Sequence, residues 1–293
     1  MATPTIILHG GAGAAIRDSV RRERVRRKLS EFADSAYGVL TRGNALEAAV
    51  HAVRLLEDDP DFNAGTGSRV QADGRARLSA SVMDGASGRF AAVLNVENLK
   101  NPVLAARELL GEEFRVLAGE GAAAFALSRG FRSEDPRTRE VLDRWEKWRN
   151  TGAGSRGSDT VGACALDAAG RLAAATSTGG RGYETPGRVS DSGTPAADFA
   201  DRFSAVSATG TGEEILDQGL AVRIAVRVRD GLTLAEAFAR SFAEARAAGH
   251  SFGAVGLDRD GRIAWETTTE AILYAWKKDG SSGDFLSGNA GSA

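Results

Sequence analysis

A single cysteine, Cys164, occurs among 293 residues. That excludes an internal disulfide and leads to the expectation of a reducing, cytoplasmic setting. Histidine is almost as scarce, with His9, His51 and His250 only. With one cysteine they cannot furnish a zinc cluster of the usual Cys/His kind. His51 lies inside an amphipathic helical pattern and His250 just past another, where packing or surface roles are expected. A Ser-His-Asp triad is thereby poorly supported, and chemistry that needs no histidine gains weight. No apolar run is long enough to span a bilayer, and residues 1–8 carry no basic flank of the signal-peptide kind. Net charge is only −2, so nothing in it argues for nucleic acid or an anionic membrane as partner. Proline is rare and glycine is not, 6 against 36, a balance that suits short strands, tight turns and close backbone approaches. With 42% hydrophobic and 26% charged residues, the remaining reading is an ordinary globular chain.

Its most informative stretch is Ser158-Asp159-Thr160-Val161-Gly162-Ala163. Residues 151–158 are glycine, serine and single polar residues, a loose loop. Residues 161–166 are small and apolar, Asp167-Ala168-Ala169-Gly170 is a turn signal, and residues 172–178 form a second apolar run ending at Gly179-Gly180. That pattern predicts a β-hairpin whose first strand starts at a threonine. A loop entering an ordinary strand gives the same pattern. A cleavage point gives it too. Breaking the Asp159–Thr160 bond would free an α-amine beside the Thr160 hydroxyl, and with a reference pKa of roughly 7.7–8 that amine can act as a base near neutral pH.

Along the rest of the chain, residues 5–8 read as a strand entering the glycine loop His9-Gly10-Gly11-Ala12-Gly13, which keeps neither P-loop nor dinucleotide spacing. Helical periodicity covers residues 18–40, with a basic cluster from Arg21 to Lys28 best read as a solvated face. Asn44 caps a second helix, which ends in Glu57-Asp58-Asp59-Pro60. The acidic segment that follows fits either an exposed loop or oxygen ligands for a hard cation. Strands are expected at 78–83 and 90–94, and helices at 102–110, 120–128 and 137–148, where Trp145 and Trp148 share a face. Residues 181–202 read as polar loop, 206–209 as a strand, and 213–228 as one helix. Thr233 and Glu236 open another helix. A hairpin around Asp258-Arg259-Asp260-Gly261 and a strand at 272–276 precede a Gly/Ser-rich tail from 279, expected to be disordered.

Several motifs occur together and in order: His9-Gly10-Gly11-Ala12-Gly13, Asn63-Ala64-Gly65-Thr66-Gly67, Ser81-Val82-Met83-Asp84-Gly85, Asp159-Thr160-Val161-Gly162, Thr176-Ser177-Thr178-Gly179-Gly180, Pro186-Gly187-Arg188-Val189-Ser190-Asp191 and Ser207-Ala208-Thr209-Gly210-Thr211-Gly212-Glu213. In this set, which covers nearly the whole chain, the sequence resembles the plant-type asparaginase and isoaspartyl peptidase family, the threonine branch of the N-terminal-nucleophile hydrolases. The resemblance implies an α+β fold, a four-layer αββα sandwich in one domain cut into residues 1–159 and 160–293, with two cut chains pairing as a dimer of heterodimers. It implies that the glycine loop packs beneath the active site. It also implies a structural sodium ion on the backbone carbonyls of Leu56, Glu57, Asp59, Phe62, Ala64 and Thr66, and no cofactor for catalysis.

Amide hydrolysis needs a nucleophile, a proton shuttle, oxyanion donors and substrate anchors. Thr160 supplies the first two once Asp159–Thr160 is cut. By resemblance, Thr178 hydrogen-bonds the nucleophile. Thr209 and Gly210 offer a hydroxyl and an N–H to a developing oxyanion, and the resemblance implies that Gly212 adds a carbonyl for an ammonium. Arg188 and Asp191, three apart in a loop, suit the carboxylate and ammonium of an amino-acid head group. The sequence departs from the family pattern at Ser190, where glycine is frequent, and across 181–185 and 194–203, which puts substrate preference in question. Three functions stay open: an isoaspartyl peptidase with L-asparaginase activity acting on a small amide or dipeptide, a glycosylasparaginase, and an uncleaved non-catalytic binding protein.

Overall fold

The computed structural model describes residues 2–154, 157 and 159–287. Helices α1 (Ser19–Arg42), α2 (Ala45–Asp58) and α3 (Pro102–Leu109) cover one face of an eight-stranded sheet. Its strands are β1 (Thr5–Gly13), β2 (Leu78–Asp84), β3 (Arg89–Val96), β4 (Val116–Ala118), β5 (Val161–Leu166), β6 (Leu172–Thr178), β11 (Ala271–Lys278) and β12 (Ser281–Asp284), in the order β12-β11-β1-β5-β6-β2-β3-β4. A second sheet, ordered β10-β9-β8-β7, holds β7 (Asp198–Ala200), β8 (Ser204–Gly210), β9 (Phe252–Asp258) and β10 (Ile263–Thr267). Helices α7 (Leu220–Arg229) and α8 (Leu234–Ala248) cover its far face. The result is the expected four-layer αββα sandwich.

Strand alternation explains why the middle layers carry both packing and chemistry. Along β1, β5 and β6, Ile6, Leu8, Val161, Ala163, Ala173 and Ala175 pack against the helices. Their neighbours Ile7, Cys164, Leu166, Leu172 and Ala174 pack against the second sheet. Both faces are dry, so these strands read as continuous apolar runs rather than as half-polar ones. A polar residue on the inter-sheet face therefore enters a water-poor layer, where it needs a partner.

Local signals place most elements. Asp18 accepts from the N–H groups of Val20 and Arg21, Asn44 accepts from Glu47, and Thr233 with Glu236 closes a reciprocal capping box. Within the basic cluster on α1, Arg24 and Lys28 pair with Asp61, Lys28 also with Asp59, Arg26 with Glu23 and Asp284, and Arg27 with Glu31. Arg21, Arg22, Arg24 and Arg27 are exposed, as a solvated face requires. Helix α4 (Gly119–Ser128) follows β4, where a helix over 120–128 is expected, and helix α5 (Arg139–Thr151) docks as its tryptophans predict: Trp145 donates to the Ala72 carbonyl, and Trp148 stacks on Tyr183 with ring centroids 4.5 Å apart.

Four expectations change. Strand β1 continues through the glycine loop to Gly13, with a bulge between His9 and Gly11. The helix expected over 213–228 is two, α6 (Gly212–Gln218) and α7, because Gly219 sits at φ +54, which ends the first in a left-handed cap. The loop expected over 181–202 contains β7 at its end. The tail forms β12 at the sheet edge; residues 288–293 lie outside the described residues, as do 155, 156 and 158 of the expected loose loop. No described helix is long and apolar enough to cross a membrane.

Candidate active site

The hairpin β5–β6 pairs Val161 with Ser177 and Gly162 with Thr176. That register sets Thr160, just before the strand, opposite Thr178, on the inter-sheet face. Ser207 and Thr209 reach the same layer from β8, because Val206 and Ala208 turn towards the helices on the other side. The Thr160 hydroxyl lies 3.3 Å from the Thr178 hydroxyl and 3.5 Å from that of Ser192. The Thr209 hydroxyl accepts from the Thr160 N–H at 3.2 Å and donates to the Thr160 carbonyl at 3.0 Å. Thr160, Thr178 and Thr209 are all at most 3% exposed.

The peptide group before Thr160 is held as firmly. Asn63 donates through Nδ2 to the Asp159 carbonyl at 2.8 Å and to the Gly180 carbonyl at 2.6 Å, while its Oδ1 accepts from the Arg69 N–H. Arg69 lies 3.4 Å from the Asp159 carboxylate. Burial raises the Asp159 carboxyl above its ordinary range, against the opposing pull of Arg69. The glycine motif packs close to this segment, since a Cβ on Gly11 would lie 3.1 Å from the Asp159 Cβ. Asn63 carries no predicted role, and its function is visible only once the fold brings residues 63 and 159 together.

Beneath Thr160 runs a buried polar chain. His9 Nδ1 meets the Thr160 carbonyl at 3.1 Å, His9 Nε2 meets Ser207 Oγ at 2.7 Å, and Ser207 Oγ meets Thr176 Oγ1 at 3.0 Å. Burial pushes the His9 imidazole down to about 3, so it is neutral. A carbonyl only accepts, so Nδ1 carries the proton, Nε2 accepts from Ser207, and Thr176 donates to Ser207. Gly162 makes room for this contact: a Cβ there would sit 2.6 Å from His9 Nε2. His9 is thus a neutral support of the Thr160 carbonyl, with no part in a triad. The signal that sequence reasoning passed over is the spacing of hydroxyls at 176 and 178, and at 207 and 209, a period-two polar face inside apolar strands.

Around the corner, Arg188, Ser190 and Asp191 converge on Gly212. A Cβ on Gly212 would lie 2.6 Å from Asp191 Oδ1, 2.7 Å from Ser190 Oγ and 3.0 Å from Arg188 Nη2. Asp191 is fully buried. Ser190 donates to its Oδ1 at 2.5 Å, and its Oδ2 has no partner among the described residues. Burial raises this carboxyl to about 6, although the Ser190 hydrogen bond and the nearby Arg188 charge pull it down. Arg188 pairs with Glu213 at 2.8 Å. This corner therefore brings together a cation paired with Glu213, a buried acceptor lacking a donor among the described residues, and a backbone with no side chain in the way.

At the loop after α2, every acidic side chain is committed. Glu57 accepts from the Val103 N–H and from Asn101, Asp58 pairs with Arg54 and Lys100, and Asp59 and Asp61 pair with Lys28. Among the described residues there is no cluster of three His, Cys, Asp or Glu side chains suited to a metal ion. Side-chain ligation by this segment is therefore not supported. The backbone is arranged differently: a Cβ on Gly65 would lie 2.2 Å from the Glu57 carbonyl oxygen, and one on Gly67 would lie 1.9 Å from that of Phe62. The Thr66 hydroxyl is buried without a partner among the described residues.

Residues 2–287 match the family model described as Asparaginase. An isoaspartyl peptidase/L-asparaginase of Nostoc sp. is 43% identical, over 97% of this chain and 94% of the relative. The isoaspartyl peptidase of Escherichia coli is 39% identical over 94% and 93% of the two chains, and a plant-type L-asparaginase of Pyrobaculum calidifontis is 37% identical over 94% and 97%. With matches along the full length, and with the motif residues gathered at the mouth of the inter-sheet layer, the chain belongs to the asparaginase family of hydrolases.

Proposed function

We propose that the chain is a self-cleaving amidohydrolase that uses Thr160 to hydrolyse isoaspartyl dipeptides and L-asparagine, releasing L-aspartate. The observation that carries this reading is the seating of Thr160. Its hydroxyl lies against Thr178, its N–H and carbonyl are bridged by Thr209, and the preceding carbonyl is held by Asn63. In the first step the Thr160 oxygen attacks the Asp159 carbonyl carbon. The C–O bond forms, the C–N bond breaks, and the hydroxyl proton passes to the departing nitrogen. Asn63 stabilises the oxyanion of that step. Water then hydrolyses the resulting ester, leaving a carboxylate on Asp159 and a free amine on Thr160.

The same threonine then turns over substrate. Its amine takes the hydroxyl proton, Thr178 orients the oxygen, and Thr209 with the Gly210 N–H receives the oxyanion. Arg188 forks onto the substrate α-carboxylate, while Asp191 and the Gly212 carbonyl hold the α-ammonium. The unpartnered Asp191 Oδ2 supports this assignment, since a buried carboxylate oxygen without a donor is costly in the absence of a ligand. The side-chain amide of the substrate is thereby directed to Thr160. The backbone carbonyls of Leu56, Glu57, Asp59, Phe62, Ala64 and Thr66 would hold a structural sodium ion through neutral hard oxygens, three of which, those of Leu56, Asp59 and Ala64, also accept backbone N–H groups. The ion would stiffen the loop that carries Asn63.

Side-by-side turnover of asparagine, an isoaspartyl dipeptide and a glycosyl-asparagine tests the reading, with Thr160→Ala as control. Hydrolysis of the first two, abolished in Thr160→Ala, is expected. Activity surviving in Thr160→Ala would refute the mechanism, and turnover of the glycosyl-asparagine alone would reassign the substrate.

A further inference from the structure

We infer that Gln71 is a positioning residue for the head-group arginine, supplied by the N-terminal part of the chain to the substrate pocket of the C-terminal part. This rests on the reading of Arg188 given above. Arg188 closes a four-residue turn, Thr185-Pro186-Gly187-Arg188, in which the Arg188 N–H donates to the Thr185 carbonyl at 3.0 Å. Proline stands at its second position and Gly187, at φ +90, at its third, the arrangement of a type II turn. The turn makes its own shape. Nothing within it fixes where it sits against the body.

Gln71 does that. It is 1% exposed, and its side-chain amide reads two peptide groups of the turn at once. Its Oε1 accepts from the Gly187 N–H at 2.8 Å, and its Nε2 donates to the Arg188 carbonyl at 3.1 Å. The amide cannot rotate to exchange these roles without placing donor against donor and acceptor against acceptor. Its orientation is fixed from behind by Arg77, which donates to the same Oε1 at 2.7 Å. Arg77 is in turn held by Asp73 and Glu97, each at 2.8 Å. The backbone runs alongside: the Tyr183 N–H donates to the Val70 carbonyl at 2.8 Å and the Ala72 N–H to the Glu184 carbonyl at 2.9 Å.

The chain of contacts thus leads from Asp73 and Glu97 through Arg77 and Gln71 to the peptide group of the residue that grips the substrate carboxylate. After a cut at Asp159–Thr160 it would run between two separate polypeptides. Among the described residues, the side-chain hydrogen bonds of Gln71 go to Gly187, Arg188 and Arg77 and to none of Thr160, Thr178, Ser192 and Thr209, so its contribution is to substrate anchoring and not to self-cleavage or chemistry.

Gln71→Met keeps the length and bulk of the side chain and removes both contacts to the turn. Wild-type self-cleavage is expected, with KM for asparagine and for an isoaspartyl dipeptide raised about tenfold and kcat within about twofold, the effect of losing two hydrogen bonds that act on binding alone. In an Arg188→Ala background the same substitution should change KM by less than about twofold, because the residue it positions is gone. Gln71→Glu retains the acceptor for Gly187 and Arg77 but sets a carboxylate oxygen against the Arg188 carbonyl, so a rise in KM of about tenfold or more is expected here too; it decides the matter if Gln71→Met fails to fold. An unchanged KM, or an equal rise in the Arg188→Ala background, overturns the inference while leaving the proposed function intact. A wild-type chain that turns over neither substrate removes both.

Discussion

Asn63 offers the sharpest perturbation of the proposed self-cleavage step. Its Nδ2 donates to the Asp159 carbonyl at 2.8 Å, the oxygen on which the proposed attack by Thr160 would develop negative charge. Asn63→Asp is nearly isosteric and keeps an acceptor for the Arg69 N–H, which the native Oδ1 meets at 3.0 Å. It replaces the donor by a second acceptor facing the carbonyl oxygens of Asp159 and Gly180. Loss of one oxyanion donor is worth about 2.7–4 kcal/mol, which corresponds to roughly a 100- to 1,000-fold slower step. The assay is the rate at which the full-length chain disappears, followed by intact mass under denaturing conditions. Asn63→Leu, which removes both hydrogen-bonding functions, separates the missing donor from the added charge. Cleavage at the wild-type rate in both variants would refute the role of Asn63 and the geometry on which the step rests.

Three further outcomes are expected. Arg188→Ala should leave self-cleavage intact and raise KM about 10- to 150-fold, the loss of one charge-assisted contact of about 1.5–3 kcal/mol; unchanged kinetics would remove Arg188 from the site. Because burial raises the Asp191 carboxyl to about 6 and only the carboxylate holds an ammonium, KM should climb as pH falls through about 6. Ser190→Gly, which removes a hydrogen bond that lowers this value, should move the rise to higher pH, and a KM independent of pH from 5 to 8 would contradict the assignment. Glu57 is fully buried and raised from 4.5 to about 8. Between those values the folded chain holds a proton that the unfolded chain releases, so stability should fall as pH rises, by at most about 1.4 kcal/mol per pH unit from this group. Glu57→Gln should flatten that slope in thermal unfolding, and an unaltered slope would show that Glu57 is already ionised.

The sequence carries the hairpin, the caps and the proposed head-group residues more plainly than it carries their supports. Thr160 and Thr178 can be placed face to face because a short turn fixes the register of two small apolar runs. Arg188 and Asp191 are readable because they lie in one loop. Asn63 and His9 are not, because each acts on residue 159 or 160 from a distant part of the chain, and neither an asparagine in a glycine motif nor a lone histidine announces its partner. The split between α6 and α7 escapes periodicity, since the apolar pattern continues across Gly219 and only its positive φ breaks the axis. Strand β7 is only three residues long, Asp198–Ala200, and its partner β8 decides its conformation more than its own composition does. Ser190 reads as a departure from the family pattern, yet the structure gives it a definite part as donor to Asp191.

The central claim is that Thr160 becomes an N-terminal residue before it becomes a nucleophile. Intact mass of the purified chain after days of incubation, with sequencing of any fragment ends, tests it most directly. Two fragments, the second starting at Thr160, are predicted, with hydrolysis of asparagine or of the isoaspartyl dipeptide growing in step with their formation. A chain that stays whole and still turns over substrate, or one that is cut elsewhere, would contradict the account.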